Sequence, residues 1–306
     1  MSIDARERLL AEREFLRRDL LETPEKAQLT RMSIAARLRK VEAELSAHPA
    51  NEWVPARARL TFDGLPVIGS HGIFADFAMK AVSSFTDVVA SVAASLSAPL
   101  RAMGPIPNRD QNQLLITNTA VGSFGFELEE FAGSRLPLEA DSAVALALGR
   151  AQALLQGTLA NDDELADVAS EIDPRALEKV RTFLKVLADH STICALQYGA
   201  GSVRFTDVGQ VTRSLARLGS DNLRESQEKL HGEFIGALPK SRTFEFQLAS
   251  NEVIRGKVAP VVEDVGAINA HLHQATQIDV MRTQVGNGRP RYLLTQTPLW
   301  RADSAE

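Results

Sequence analysis

The chain has a single cysteine, Cys194, in 306 residues. An intramolecular disulfide is therefore excluded, and a reducing compartment is the expected setting. Cys194 sits in the apolar run Thr192-Ile-Cys-Ala-Leu196, so it reads as a small buried hydrophobe. Tryptophan and tyrosine are scarce, at two each. No apolar run approaches the roughly 20 residues of a membrane span. The start, Met-Ser-Ile-Asp-Ala-Arg-Glu-Arg, lacks the apolar core of a signal peptide. Together these absences predict a cytoplasmic protein with no membrane partner. Excess charge is missing too. The net charge is -5, so no global field draws in nucleic acid or acidic lipid.

Catalytic signatures are also missing. There is no Gly-x-Ser-x-Gly elbow and no Gly-Lys-Ser or Gly-Lys-Thr phosphate loop. His271-Leu-His273 falls at a helix end, where residues two apart diverge, and no third ligand lies at metal spacing. The expectation is no catalytic residue, no metal and no cofactor. Asp162, Asp163 and Glu164 read as dipole-favoured acids opening a helix. Glu127, Glu129 and Glu130 read as an exposed strand face.

What is present is an ordinary globular composition, 44% apolar and 24% charged, in a chain long enough for two or three domains. Arginine outnumbers lysine 26 to 8 and alanine is abundant, which suggests a GC-rich bacterial genome.

Residues 3 to 47 read as two helices joined by a short link, hence antiparallel neighbours. The first carries Leu9, Phe15, Leu16 and Leu20. The second places Ile34, Leu38, Val41 and Leu45 at coiled-coil-like steps of four, three and four. Thr23 is expected to cap the second helix, with Pro24 as its first residue. This ridge is the expected partner interface, for self-association or for docking on another chain.

The centre of the chain runs from Arg57 to Glu130. Ala58, Leu60 and Phe62 alternate with Arg57, Arg59 and Thr61 as a half-buried strand, and Asp63-Gly64 signals a hairpin turn. A long helix from about Phe74 to Leu96 is expected to pack on that sheet. Pro99 to Gln113 reads as a loop, long enough for a binding or lid segment. A second hairpin points Phe124, Phe126 and Leu128 inward. Each hairpin holds a Gly-Ser-x-Gly: Gly69, Ser70, His71, Gly72 and Gly122, Ser123, Phe124, Gly125. Such turns aim backbone N–H groups into one hollow, which makes Gly69, Ser70, His71, Gly72, Gly122, Ser123 and Gly125 candidates for binding an anion or small ligand.

The period is helical from Ala140 to about Gly219, apart from two brief extended pieces around Gly199-Ala-Gly201. Beyond Lys229 come strands near Leu230–Leu238, Thr243–Leu248 and Val253–Val258, a short helix near Glu263–Leu272, and strands at Gln277–Gln284 and Arg291–Thr295. That order resembles an OB-fold, and an SH3-like barrel fits nearly as well. The resemblance implies nucleic-acid binding as an alternative, with Arg242, Arg289, Arg291 and Tyr292 as candidates beside Arg255 and Lys257.

The sequence thus predicts an α+β protein in three parts. These are a helical hairpin (1–48), a mixed-sheet domain with a long central helix and a helical middle (55–225), and a five-stranded small barrel (226–300). The expected function is that of a bacterial adaptor or regulatory subunit, with a small-ligand protein or hydrolase at the glycine-rich turns as a further alternative.

Overall fold

A computed structural model of the chain describes residues 3–24, 27–47, 55–101, 103–120, 124–131, 142–298 and 300. The chain up to Ala56 forms one compact unit, and Arg57–Phe131 joins the chain from Ser142 onward in another.

In the first unit, α1 (Ile3–Glu22) and α2 (Gln28–Ala47) pack side by side. Leu16, Ile34, Val41 and Leu45 form a buried seam, and Leu9, Leu20 and Leu38 pack against it. Arg17 pairs with Glu42 at 2.8 Å and Arg37 with Glu12 at 2.6 Å, bridging the helices. Thr23 does not cap α2. Its backbone N–H and its hydroxyl both donate to the Asp19 carbonyl, at 2.9 and 2.6 Å. Arg31 reaches back to the carbonyls of Leu20 and Thr23. The orphan carbonyls closing α1 take these donors, and α2 begins only at Gln28.

The second unit opens with β1 (Arg57–Gly64), β2 (Val67–Ile68), β3 (Gly72–Ile73) and α3 (Ala75–Ser95). Then come β4 (Leu114–Ala120), β5 (Phe124–Glu130), α4 (Ala143–Gly157), α5 (Asp162–Ala169), α6 (Pro174–Asp189), β6 (Thr192–Tyr198), β7 (Gly201–Arg204) and α7 (Val208–Arg217). One sheet has the order β4-β5-β1-β6-β7, and every neighbouring pair in it is antiparallel. This corrects the expected mixed sheet: β5 and β6 return on either side of β1, so no parallel pair arises. The Asp63-Gly64 turn is corrected as well. β1 runs straight through these residues, pairing them with Ile193 and Thr192. A Cβ on Gly64 would stand 2.4 Å from the Ser191 carbonyl oxygen, so the glycine serves a close strand contact and not a reversal. A turn follows at Leu65-Pro66, and β2 pairs with β3 and not with β1, so the expected first hairpin is corrected too.

The register puts Ala58, Leu60 and Phe62 on one face with Leu128, Phe126, Phe124, Cys194 and Leu196. Phe77 of α3 meets Phe62 edge-on at 5.4 Å, and Phe85 packs on Phe183 of α6 at 5.5 Å. By length and composition α3 could cross a membrane, although the sequence reading found no such run. Here 56% of its apolar window is buried, and it serves as the core helix of this unit. On the opposite sheet face, Arg57 pairs with Glu129 at 2.9 Å and Arg59 with Glu127 at 3.0 Å, directly across the strands. Glu130 is buried, not exposed, and accepts a bond from Ser142, the N-cap of α4.

The barrel is built of β8 (Leu223–Leu238), β9 (Thr243–Leu248), β10 (Val253–Val258), β11 (Ala275–Val285) and β12 (Arg291–Leu294), with a 3-10 turn at Gly266–His271. It closes in the order β10-β12-β11-β8-β9, with β10 and β12 parallel. Phe234 packs edge-on against Phe244 and Phe246 in its core, with Trp300 beside them. β8 starts earlier than expected because Arg224, Ser226 and Gln227 hide the alternation that marks a strand.

The first turn of α5 holds the barrel. Asn161 caps the helix. The Asp163 carboxylate accepts from the Arg289 backbone N–H at 3.1 Å, and Arg291 pairs with Asp163 and Asp167. A Cβ on Gly286 would stand 2.6 Å from Asp162 Oδ2, so the β11–β12 loop lies flat on the helix start. Lys257 of β10 pairs with Glu171 as a second clamp.

Gly125 lies against the centre of β1, where a Cβ would fall 2.2 Å from the Leu60 carbonyl oxygen. Gly125→Ala is expected to lower the unfolding free energy by about 1–3 kcal/mol, the usual cost of overpacking a rigid site. Urea denaturation followed by circular dichroism measures it.

Candidate functional site

The residues expected to form a partner interface divide into two groups. Leu9, Leu16, Leu20, Ile34, Leu38, Val41 and Leu45 make the hairpin's own seam. Phe15 points away from it into solvent, as do Leu21, Leu29 and Met32.

The glycine-rich turns are structural where they are described. Gly69, Ser70 and His71 form the tip of the β2–β3 ribbon, with Gly69 at φ 54° and the His71 N–H bonded to the Ile68 carbonyl. Gly72 begins β3. The side chains of Ser70 and His71 are exposed, and Phe74 is the N-cap of α3. Gly122 and Ser123 lie outside the described residues. The 99–113 loop is pinned at several points. The Leu100 N–H donates to Asp173, Arg175 holds the carbonyls of Arg101 and Gly104, and Arg109 pairs with Asp87.

Most of the nucleic-acid candidates are engaged elsewhere. Arg242 turns its guanidinium onto the carbonyls of Val258, Ala259 and Val262. Arg291 is held by Asp163 and Asp167, and Tyr292 packs on the barrel core. Arg255 pairs with Glu245 at 2.8 Å. The Arg289 side chain is exposed. His271 stacks on Trp300 at 4.1 Å, while the nearest acid to His273 is Glu233 at 3.9 Å. Among the described residues no three His, Cys, Asp or Glu side chains are grouped to hold a metal ion. Cys194 is fully buried in β6, and that burial pushes its thiol up to about 12, which keeps it protonated and inert.

The described residues of the second unit enclose a groove and a cavity. One is a broad groove of about 910 Å3 across β8, β9 and β11, lined by groups of both signs such as Lys229, Glu233 and Asp279. The other is a smaller cavity of about 140 Å3, where the helices meet the outer face of the barrel. Leu96 follows α3, Ile172 comes from the α5–α6 link, Pro174 opens α6, and Met281, Leu293 and Glu225 come from the barrel strands. Glu225 faces Thr283 across β8 and β11.

Among the acids of this cavity Glu225 stands apart. Asp173 accepts from the N–H groups of Arg175 and Leu100, and Glu171 is paired with Lys257. The Glu225 carboxyl has no hydrogen bond or ion pair among the described residues. Its removal from water pushes it up to about 7, against Arg181, which favours the charge; Asp173 and Glu178 add to the rise. Sequence reasoning missed Glu225. In Leu223-Arg-Glu-Ser-Gln-Glu-Lys229 nothing distinguishes it from Glu228; only the docking of the barrel does.

The raised carboxyl has a consequence for stability. Unfolded, the group titrates near 4.5, and folded near 7. Below the lower value both states hold the proton and the site's contribution is fully present. Between the two values only the unfolded chain ionises, so that contribution falls with rising pH and is lost once pH has passed the upper value. Glu225→Gln keeps the neutral shape and removes the titration. The substituted chain is therefore expected to gain stability relative to the native one between about pH 5 and about pH 8 in urea denaturation.

Compared with protein-family models, curated proteins and solved structures, the chain matches none of them.

Proposed function

We propose that this protein is a non-catalytic adaptor or regulatory subunit of a bacterial, cytoplasmic multi-protein assembly, joined to it through the helical hairpin. One observation carries the reading. The hairpin closes its own seam, yet Phe15, Leu21, Leu29 and Met32 stay 66%, 86%, 85% and 68% exposed. Single exposed apolar residues are ordinary on any protein. Four large ones on so short a hairpin favour association, because covering each would contribute about 1.5–3 kcal/mol. A defence or toxin–antitoxin complex is the kind of assembly that would use such a subunit.

The barrel fits this reading as a support module. Its order, with the 3-10 turn between the third and fourth strands and a parallel pair closing it, speaks for the OB type over the SH3-like one. OB-type barrels bind oligonucleotides on their second and third strands and the loop joining the last two. Here that loop lies on α5, and the outward cations Arg255 and Lys257 are paired with Glu245 and Glu171. Nucleic-acid binding is therefore the second choice.

Light scattering on the full chain is expected to give more than the mass of one copy, either alone or with a protein encoded beside it. Removing residues 1–48 should abolish that gain, and so should Phe15→Ser combined with Leu29→Ser, which leaves the seam intact. A full chain that stays monomeric and binds no such neighbour rejects the proposal. Salt-dependent binding of single-stranded DNA, lost in Arg289→Ala with Arg291→Ala, would favour the alternative.

A further inference from the structure

The cavity between the helices and the barrel has the composition of a ligand site and not of a packing gap. Its wall is largely apolar, with Leu96, Ile172, Met281 and Leu293 contributing side chains. Its size is close to that of an engineered cavity of about 150 Å3 that admits benzene. Of the three acids that line it, Glu225 alone has no hydrogen bond or ion pair among the described residues. The side chain is half-buried, and a carboxylate drawn partly out of water with no partner is costly to ionise.

The surroundings select the sign of the missing partner. The C-terminal ends of α3 and α5, at Leu96 and Ser170, both border the cavity, so partial negative charge from their last carbonyls faces it. The N-terminus of α6 also borders it but is closed by its own cap, Asp173. The nearby cations are committed. Arg150 of α4 donates to the Glu171 carbonyl, and Arg181 of α6 is bonded to the Leu218 carbonyl and to Glu178. An anionic guest would be repelled by Glu225 and by these carbonyls, and a neutral one would leave the charge of the carboxylate uncompensated.

We propose that this cavity binds a small apolar amine, about the size of one six-membered ring, with its ammonium group donating to Glu225. The hydrocarbon body fills the apolar wall, and the charged head replaces the missing hydrogen-bond donor. Binding is coupled to a proton. Near pH 6 the empty site holds its carboxyl largely protonated, so an incoming ammonium displaces a proton into solvent. Near pH 8 the carboxylate is already formed and no proton is released. The amine is protonated throughout this range, as a lysine side chain is. Affinity therefore rises with pH across the interval. Occupancy would tie barrel to helices through β8, which gives a regulatory subunit a ligand-dependent element independent of its hairpin.

The test is isothermal titration calorimetry on the full chain with cyclohexylamine, cyclohexanol and cyclohexanecarboxylate at about pH 6 and about pH 8. Cyclohexylamine is expected to bind more tightly at the higher pH, the alcohol more weakly at either, and the carboxylate not at all. Glu225→Gln, which mimics the protonated acid, is expected to weaken the amine roughly tenfold or more at the higher pH, the scale of a hydrogen bond between charged groups. In the native chain the Met281 methyl NMR signal should shift on addition of the amine, which locates the site without any substitution. Equal binding of amine and alcohol, unchanged affinity in Glu225→Gln, or an unmoved Met281 signal would each overturn the assignment. None of these outcomes depends on whether the hairpin mediates assembly.

Discussion

Three acids on one short helix hold the second unit together. Asp162, Asp163 and Asp167 of α5 receive the β11–β12 loop and Arg291, and Arg217 braces Asp162 at 2.7 Å. Because these groups are partly exposed, each pair alone contributes little. Their joint effect is geometric: they fix which face of the barrel meets the helices. That choice buries the outer side of β11 at Thr283 and Val285 and brings Glu225 near Glu178 and Arg181 of α6. A surface glutamate on an isolated barrel would titrate like any other. Docked, it loses water on one side and gains no hydrogen-bonding partner.

The glycines tell a related story. Glycine-rich turns invite an anion-binding interpretation because successive N–H groups can converge. Here Gly125 and Gly64 are instead points of contact between backbones, and Gly286 lets a loop lie flat on a helix start. The same residue type serves opposite ends, and only the neighbour across the gap distinguishes them.

Much of the architecture was legible in local pattern. The period of the hairpin, the apolar stripe of α3, and the alternation of β1, β9 and β10 all follow from side-chain spacing, which is set within one element. The places where reading failed share a cause. The Asp63-Gly64 turn, the exposed Glu130 and the cap at Thr23 were inferred from dipeptide or residue preference, and each was overridden by a partner distant in the chain or on the preceding helix. The candidate site was not legible at all, since Glu225 has no spacing, motif or neighbour that marks it.

Element type, order and the presence of a small barrel were determined by the sequence alone, because amphipathic periodicity needs no knowledge of what lies opposite. Tertiary structure alone decided strand partners, the antiparallel order around β1, and which polar groups lost water. Those depend on contacts between residues far apart in the chain, where burial and charge pairing are properties of the assembled surfaces and of no single segment.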